Sequence, residues 1–353
     1  MMKKIVALAG DGIGPEIMKQ SLRVLEVVAQ QINFEYQVVS AAFGGAGIDE
    51  VGHPLPEETL RHAKSADAIL LAAIGGPQYD TAPVRPEQGL LALRKELGLF
   101  ANLRPISVKP ALAHLSPLKP EIVVGADFIV VRELTGGIYF GEHTLNEDSA
   151  RDVNDYTAEE IRRIIRKAFE IAQGRRKKVT SVDKQNVLST SKLWRRIAEE
   201  VAQEFPDVSL EHQLVDSCAM VMLTNPKQFD VIVTENLFGD ILSDEASVLP
   251  GSLGVMPSAS HSANGPSLYE PIHGSAPDIA GQNIANPVSM LLSVAMMFRQ
   301  SFASEASARL IEEACDAVMN DGVLTTDLGG SATTTEFVDN VIWKIENSEV
   351  GNG

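Results

Sequence analysis

Two carboxylates, Asp240 and Asp244, stand four residues apart in Phe238-Gly239-Asp240-Ile241-Leu242-Ser243-Asp244. On a helix that spacing puts both on one face, where their repulsion costs roughly 0.2–0.5 kcal/mol unless a positive group lies between them. A hard divalent cation such as Mg²⁺ or Mn²⁺ takes oxygen ligands of this kind. A solvated acidic face has the same spacing. Three arginines add to the picture: Arg94 on an expected helix, Arg104 in Ala101-Asn102-Leu103-Arg104-Pro105, and Arg132 at the end of an apolar run before Glu133. An arginine at a strand end can grip a carboxylate with two parallel hydrogen bonds. Together with metal-ligating carboxylates, the three suit a diacid chelated to a metal, although each alone is more often a surface or ion-pairing residue. Lys184, in Ser181-Val182-Asp183-Lys184-Gln185-Asn186, follows another apolar run. It would act as a base only if neighbouring positive charge lowered its pKa. Tyr139, in Gly137-Ile138-Tyr139-Phe140-Gly141, offers a phenol that can donate a proton. Without further context both are ordinary residues.

The elements that must carry these residues alternate between strand and helix. Ile5–Leu8, Ala68–Ile74, roughly 122–131, Val179–Val182 and Val231–Val233 are short apolar runs suited to buried strands. Between them lie amphipathic helices. The clearest begins at Thr157, with Glu160 three residues on as a capping box and Ile161, Ile164, Ile165, Ala168 and Phe169 as its apolar stripe. This alternation predicts an α/β architecture. Gly136 to Tyr156, glycine-rich and then polar, reads as a hairpin projecting toward a partner subunit. The tail after Asn347 is expected to fray.

Gly10-Asp11-Gly12-Ile13-Gly14 follows a strand and precedes a helix, with Pro15 placed for a first helical turn. A dinucleotide fingerprint requires G-x-G-x-x-G, and here the third glycine comes one position early. A tight strand-to-helix turn accounts for it.

Charge narrows the partners. A net charge of −17 argues against nucleic acid and against an anionic membrane surface. An anionic substrate must therefore be drawn in by a local cluster of positive charge, because the global field repels it. The two cysteines, Cys218 and Cys315, have no metal-type spacing and suggest a reducing compartment. The basic Met1–Lys4 leads into an apolar run of only strand length, and the stretch 290–298 is too short to span a bilayer, so a cytoplasmic protein is expected.

Read together, the longer stretches resemble one family. They are Gly10-Asp11-Gly12-Ile13-Gly14-Pro15-Glu16, the Arg94 to Arg104 stretch, Arg132-Glu133-Leu134-Thr135-Gly136-Gly137, and Val182-Asp183-Lys184-Gln185-Asn186-Val187. With them go Asn236-Leu237-Phe238-Gly239-Asp240-Ile241-Leu242-Ser243-Asp244 and the run Glu270-Pro271-Ile272-His273-Gly274-Ser275-Ala276-Pro277-Asp278-Ile279-Ala280-Gly281. The chain is similar to the metal-dependent β-decarboxylating dehydrogenases of the isocitrate/isopropylmalate family, in order along nearly its whole length. Within it, Arg85-Pro86-Glu87-Gln88-Gly89-Leu90-Leu91-Ala92-Leu93-Arg94 most resembles the isopropylmalate branch. Isocitrate relatives carry a serine in this stretch for their third carboxylate, and homoisocitrate relatives place an arginine nearby. Leu90 and Leu91 instead make an apolar wall that Val187 would complete, and an apolar wall rejects a carboxylate because an unpaired buried charge is costly.

The resemblance implies a two-domain α/β fold that is not Rossmann, with mixed sheets flanked by helices and an intersubunit β arm at about 136–156. Residues 1–99 and 251–353 would form one domain, with the cofactor loop. Residues 100–250 would form the other, with the dimer contact and the metal and catalytic residues. It implies oxidative decarboxylation of an isopropylmalate to 4-methyl-2-oxopentanoate with reduction of NAD, in leucine biosynthesis, by a homodimer whose active site is shared between subunits. Asp240 and Asp244, with Asp216 of the partner subunit, would bind Mg²⁺ or Mn²⁺. Arg94, Arg104 and Arg132 would hold the substrate carboxylates, with Glu87, Leu90, Leu91 and Val187 lining the pocket. Lys184 of the partner subunit would be the base and Tyr139 the proton donor. Glu270, His273, Gly274, Ala276, Asp278, Asn286 and Asn186 would contact the cofactor, and Asp278 would repel a 2′-phosphate and so favour NAD over NADP. The rival readings are a D-malate or tartrate dehydrogenase with the same apparatus, a catalytically silent subunit, and a metal-free Rossmann enzyme.

Overall fold

A computed structural model describes residues 2–348 and divides into two compact units, Met1–Gly98 with Ser252–Gly353, and Leu99–Gly251. The expected fraying beyond Asn347 concerns mainly residues 349–353, which lie outside the described residues.

In the first unit five strands lie in the order Tyr36–Ser40, Lys3–Gly10, Ala68–Ala73, Ser267–Pro271, Pro257–His261. Neighbours are parallel except the last pair, which is antiparallel. Ala68–Ala73 is buried at every position, as a strand covered on both faces must be. The helices Gly14–Gln31, Val288–Ser301, Glu305–Asn320 and Thr334–Glu346 belong to this unit. Val288–Ser301 contains the apolar run noted at 290–298; it is buried from Val288 to Leu291 and from Ser293 to Phe298, which makes it a core helix. Among the described residues no helix is long and apolar enough to cross a membrane.

The second unit has the strand order Ala101–Ser107, Asp127–Glu133, Val231–Thr234, Lys178–Asp183, Ser209–Leu214. Only the first pair is antiparallel. The helix Ala158–Gln173 starts at Thr157, whose hydroxyl accepts from the Glu160 amide while the Glu160 carboxylate accepts from the Thr157 amide. Such a cap stabilises by about 1 kcal/mol. Ile161, Ile164, Ile165, Ala168, Phe169 and Ala172 are all buried, and each large apolar side chain contributes about 1.5–3 kcal/mol on burial.

Two expectations need correction. The apolar run at 122–131 is not one strand: Pro120–Val123 is a helical turn, Gly125 takes φ +83°, and the strand begins only at Asp127. The hairpin expected over Gly136 to Tyr156 does not begin at its glycines, because Gly137–Tyr139 is a 3₁₀ turn. The hairpin lies just beyond, as His143–Leu145 paired antiparallel with Ala150–Asp152, every residue exposed and Leu145 87% so.

Candidate functional site

In the second unit the parallel strands end together. Arg132 is in register with Thr234, Thr234 with Val182, and Asp183 with Leu214. The chain therefore delivers Arg132, the helix Asn236–Ser247, Lys184 and Asp216 to the carboxyl edge of one sheet, where α/β proteins place their ligand sites.

Asp240 and Asp244 do lie one turn apart on the helix Asn236–Ser247, and each has an arginine against it. Arg132 donates to Asp240 Oδ1 at 2.5 Å, and Arg104 to Asp244 Oδ1 at 2.7 Å. This positive charge offsets the repulsion between the carboxylates. Arg132 is 9% exposed and is further held by Asn236: its Nε donates to the Asn236 carbonyl at 3.0 Å and to Oδ1 at 3.1 Å, and its Nη2 to Oδ1 at 2.9 Å. The guanidinium can lie this close to the helix because residue 239 is glycine; a Cβ there would come within 2.6 Å of Arg132 Cγ.

Tyr139 joins the same cluster. Its hydroxyl donates to Asp240 Oδ2 at 2.8 Å, and the Arg132 guanidinium stands 5.7 Å from its ring centre. Partial burial and the Asp240 carboxylate raise the phenol pKa, so the group stays protonated at neutral pH. The turn bearing Tyr139 is fixed from below by the fully buried Glu133, which accepts from the amides of Thr135 at 2.9 Å and Gly136 at 2.7 Å. Asn236 also donates to the Gly136 carbonyl at 3.2 Å.

Lys184 and Asp216 make a separate pair, Nζ to Oδ1 at 2.5 Å. Hydrogen bonding to the ammonium lowers the Asp216 pKa. Among the described residues no three acidic, histidine or cysteine side chains converge as metal ligands, so within one chain Asp216 does not join Asp240 and Asp244. Asn186 and Val187 are exposed on the turn after Lys184, and Val187 is 64% exposed.

The first unit holds the other expected residues. Glu87, Leu90, Leu91 and Arg94 fall on the helix Pro86–Leu97 at i, i+3, i+4 and i+7, hence on one face. Leu90 is half-buried and Leu91 is 53% exposed. Arg94 Nη2 donates to Glu270 Oε1 at 3.0 Å, while Arg94 Nε is buried with no hydrogen-bond partner among the described residues. Glu270 is the penultimate residue of the strand Ser267–Pro271, and the chain then runs through a loop to Asn286.

That loop is tied at both ends. Asn283 Oδ1 accepts from the Thr335 amide at 3.1 Å, and Asn286 Nδ2 donates to Asp327 Oδ2 at 2.9 Å. Toward its start, the Ser275 carbonyl accepts from the Ile13 amide at 2.8 Å. Gly274 and Asp278 are exposed, and Ala276 holds a positive φ of +38°. His273 Nδ1 lies 2.9 Å from the Gly274 carbonyl, whereas its Nε2 is buried without a partner among the described residues; burial lowers the imidazole pKa and keeps the ring neutral.

The glycine turn is packed against protein and is not open as a phosphate cradle. The Asp11 carboxylate accepts from the amides of Gly45, Ala46 and Gly75, each at 2.8 Å, and a Cβ on Gly12 would meet the Ser275 carbonyl at 2.0 Å.

Sequence reading assigned no role to Asn236, Glu133 or Asn102, although Asn102 accepts from Arg104 Nε at 3.2 Å. Asn236 carried a signal in its place four residues before Asp240, on the same helix face. Nothing local marks Glu133, since a buried carboxylate beside an arginine reads as an ion pair.

The family profile described as isocitrate/isopropylmalate dehydrogenase matches residues 4–341. A 3-isopropylmalate dehydrogenase of Streptococcus thermophilus is 72% identical over 97% of this chain and 99% of its own length. One of Listeria innocua is 63% identical over 99% of this chain and 100% of its own. Among solved structures, isocitrate dehydrogenase from Methylococcus capsulatus superposes with a TM-score of 0.87 at 34% identity, covering 98% of this chain and 100% of that one. The β-decarboxylating dehydrogenase of Thermococcus kodakarensis gives 0.84 at 38% identity, covering 98% and 97%. On sequence and fold alike, this chain belongs to the isocitrate/isopropylmalate dehydrogenase family.

Proposed function

We propose that the chain is a divalent-metal-dependent, NAD-dependent dehydrogenase that converts 3-isopropylmalate to 4-methyl-2-oxopentanoate and CO₂ in leucine biosynthesis, acting as a cytoplasmic homodimer. The observation that carries this is the 72% identity, over 97% of the chain, to a relative named for that activity, against 34% to the isocitrate dehydrogenase structure. The pocket face agrees with it. Leu90 and Leu91 stand on one helix face with Arg94, so apolar surface adjoins an anion grip and no serine is offered to a third carboxylate.

The donor sets fit the cofactors. Asp240 and Asp244 supply oxygen ligands one turn apart, Asp216 of the partner subunit would add a third, and a hard divalent cation takes such a set. The buried Nε2 of His273, unpartnered among the described residues, suits a loop that receives a polar ligand, and the exposed Asp278 would accept from free ribose hydroxyls while repelling a 2′-phosphate. Gly274, Ala276, Asn286 and Glu270 belong to the same loop region, and Asn186 would orient the nicotinamide amide. When bound, the metal lowers the pKa of the substrate hydroxyl and stabilises charge developing on that oxygen. When bound, NAD accepts the hydride from C2.

The protein's own residues do the rest. Arg94, Arg104 and Arg132 hold the two malate carboxylates, the buried Nε of Arg94 being a donor without an acceptor among the described residues. Glu87 and Val187 border the alkyl group. Lys184 of the partner subunit removes the hydroxyl proton, and Tyr139, kept protonated by burial and Asp240, returns a proton to carbon after CO₂ leaves. The in-trans assignment is supported by the pairing of Lys184 with Asp216 away from Asp240 and Asp244.

The test follows NADH appearance with Mn²⁺ or Mg²⁺ and 3-isopropylmalate, with D-malate in parallel. Preference for 3-isopropylmalate, abolished by chelator, is expected. Preference for D-malate would overturn the pocket assignment, and absence of turnover on both would overturn the activity.

A further inference from the structure

The glycine turn Gly10–Glu16 is the longest motif that the chemistry leaves without a task. Its contacts supply one. The Ile13 amide donates to the Ser275 carbonyl at 2.8 Å, and Gly12, at φ +55°, lets the two backbones touch there. One helical turn on, Glu16 Oε2 accepts from the Gly281 amide at 3.0 Å. Among the described residues that amide is the one donor to the Glu16 carboxylate, whose other oxygen, Oε1, is buried without a partner. Ser275 and Gly281 bracket the stretch carrying Ala276 and Asp278, and Gly281 itself takes φ +76°.

We infer that Glu16 is a positioning residue for the dinucleotide: together with the Gly12–Ile13 backbone it clamps residues 275–281 in the shape that receives the adenosine half of NAD. The inference rests on the cofactor loop assigned above. The stretch between the clamps holds a positive-φ alanine and an exposed aspartate; inside it, Ile279 N donates to the Ala276 carbonyl at 3.2 Å and Gln282 Nε2 to the Asp278 carbonyl at 2.7 Å, and the clamps fix these turns to the rest of the unit. The other half of the loop has its own ties through Asn283 and Asn286, and among the described residues Glu16 is the side chain from outside the loop that hydrogen-bonds its first half. A fingerprint-like motif thus serves the cofactor indirectly, by holding another loop.

Two variants and two measurements test this. In the cofactor-free protein, Glu16→Ala should speed amide hydrogen exchange in a peptide spanning 276–283, with exchange in the helix Ala158–Gln173 unchanged. Calorimetry without substrate should show NAD binding weakened about tenfold, the scale of one lost hydrogen bond to a charged acceptor. KM for 3-isopropylmalate should move less than about twofold, since uniform damage to the fold would move both constants. Glu16→Gln keeps an oxygen that can accept from the Gly281 amide, and should restore most of the NAD affinity. If Glu16→Ala binds NAD as the unaltered protein does, or if Glu16→Gln is as impaired as Glu16→Ala, the inference is overturned. If the unaltered protein itself binds no NAD, the cofactor assignment fails first and the inference falls with it.

Discussion

The helix Asn236–Ser247 and the loop Glu270–Asn286 carry much of the candidate chemistry of their respective units, and they are held by opposite means. The helix follows a fully buried strand, and the guanidinium packed against it is bound by Asn236 and Asp240 together. The loop has positive φ at Ala276, Gly281 and Asn283 and is fixed by scattered hydrogen bonds to distant segments. Residues that meet developing charge benefit from preorganisation that costs nothing during the reaction. Residues that grip a cofactor can instead be adjusted from a distance. Changes in the first region should therefore act on kcat, and changes in the second on the affinity for NAD.

The sharpest test of that division is Tyr139→Phe. Removing the proposed proton donor should lower kcat by about 10²–10⁴-fold, with KM for NAD nearly unchanged in steady-state assays. A large rise in that KM would break the comparison. Asp278→Lys acts on the loop: NAD should lose about tenfold in kcat/KM while NADP gains, as a charge that repelled a 2′-phosphate becomes one that attracts it. Leu91→Ser probes the pocket wall. It should narrow the preference for 3-isopropylmalate over D-malate by roughly tenfold, the scale of a small apolar contact, measured as the ratio of the two kcat/KM values.

The smallest effect is expected beneath the helix, at Glu235. Burial raises its carboxyl from 4.5 to about 7, although Asn154 Nδ2 donates to it at 3.3 Å. Because the folded pKa exceeds the unfolded one, the folded state binds the proton more tightly between those values, and stability falls as pH rises through that window. Glu235→Gln cannot ionise, so the decline should flatten and Tm at pH 8 should rise by roughly 2–4 °C. A Tm that still falls with pH as before would show that another group carries the dependence.

Much of the helical framework was legible because its determinants are local. Thr157 and Glu160 announce a helix start, and the stripe from Ile161 to Phe169 has the period of a buried face. The strand Ala101–Ser107 escaped because Asn102 and Arg104 break its apolar pattern in order to serve the site. Ser209–Leu214 escaped because no residue along it is fully buried. The helix spacing of Asp240 and Asp244 was likewise readable, but the answer to their repulsion came from Arg104 and Arg132, more than a hundred residues away.

By itself the sequence determined which side chains stand on a common helix face, where helices begin, and which family the order of motifs resembles, since each depends on near neighbours or on order along the chain. Only the tertiary structure decided that Asn236 orients Arg132, that Tyr139 meets Asp240, that Lys184 pairs with Asp216, and that the glycine turn braces residues 275–281. Those contacts join segments whose separation along the chain carries no spacing rule. They arise where parallel strands end together, and strand order is set by packing the whole sheet.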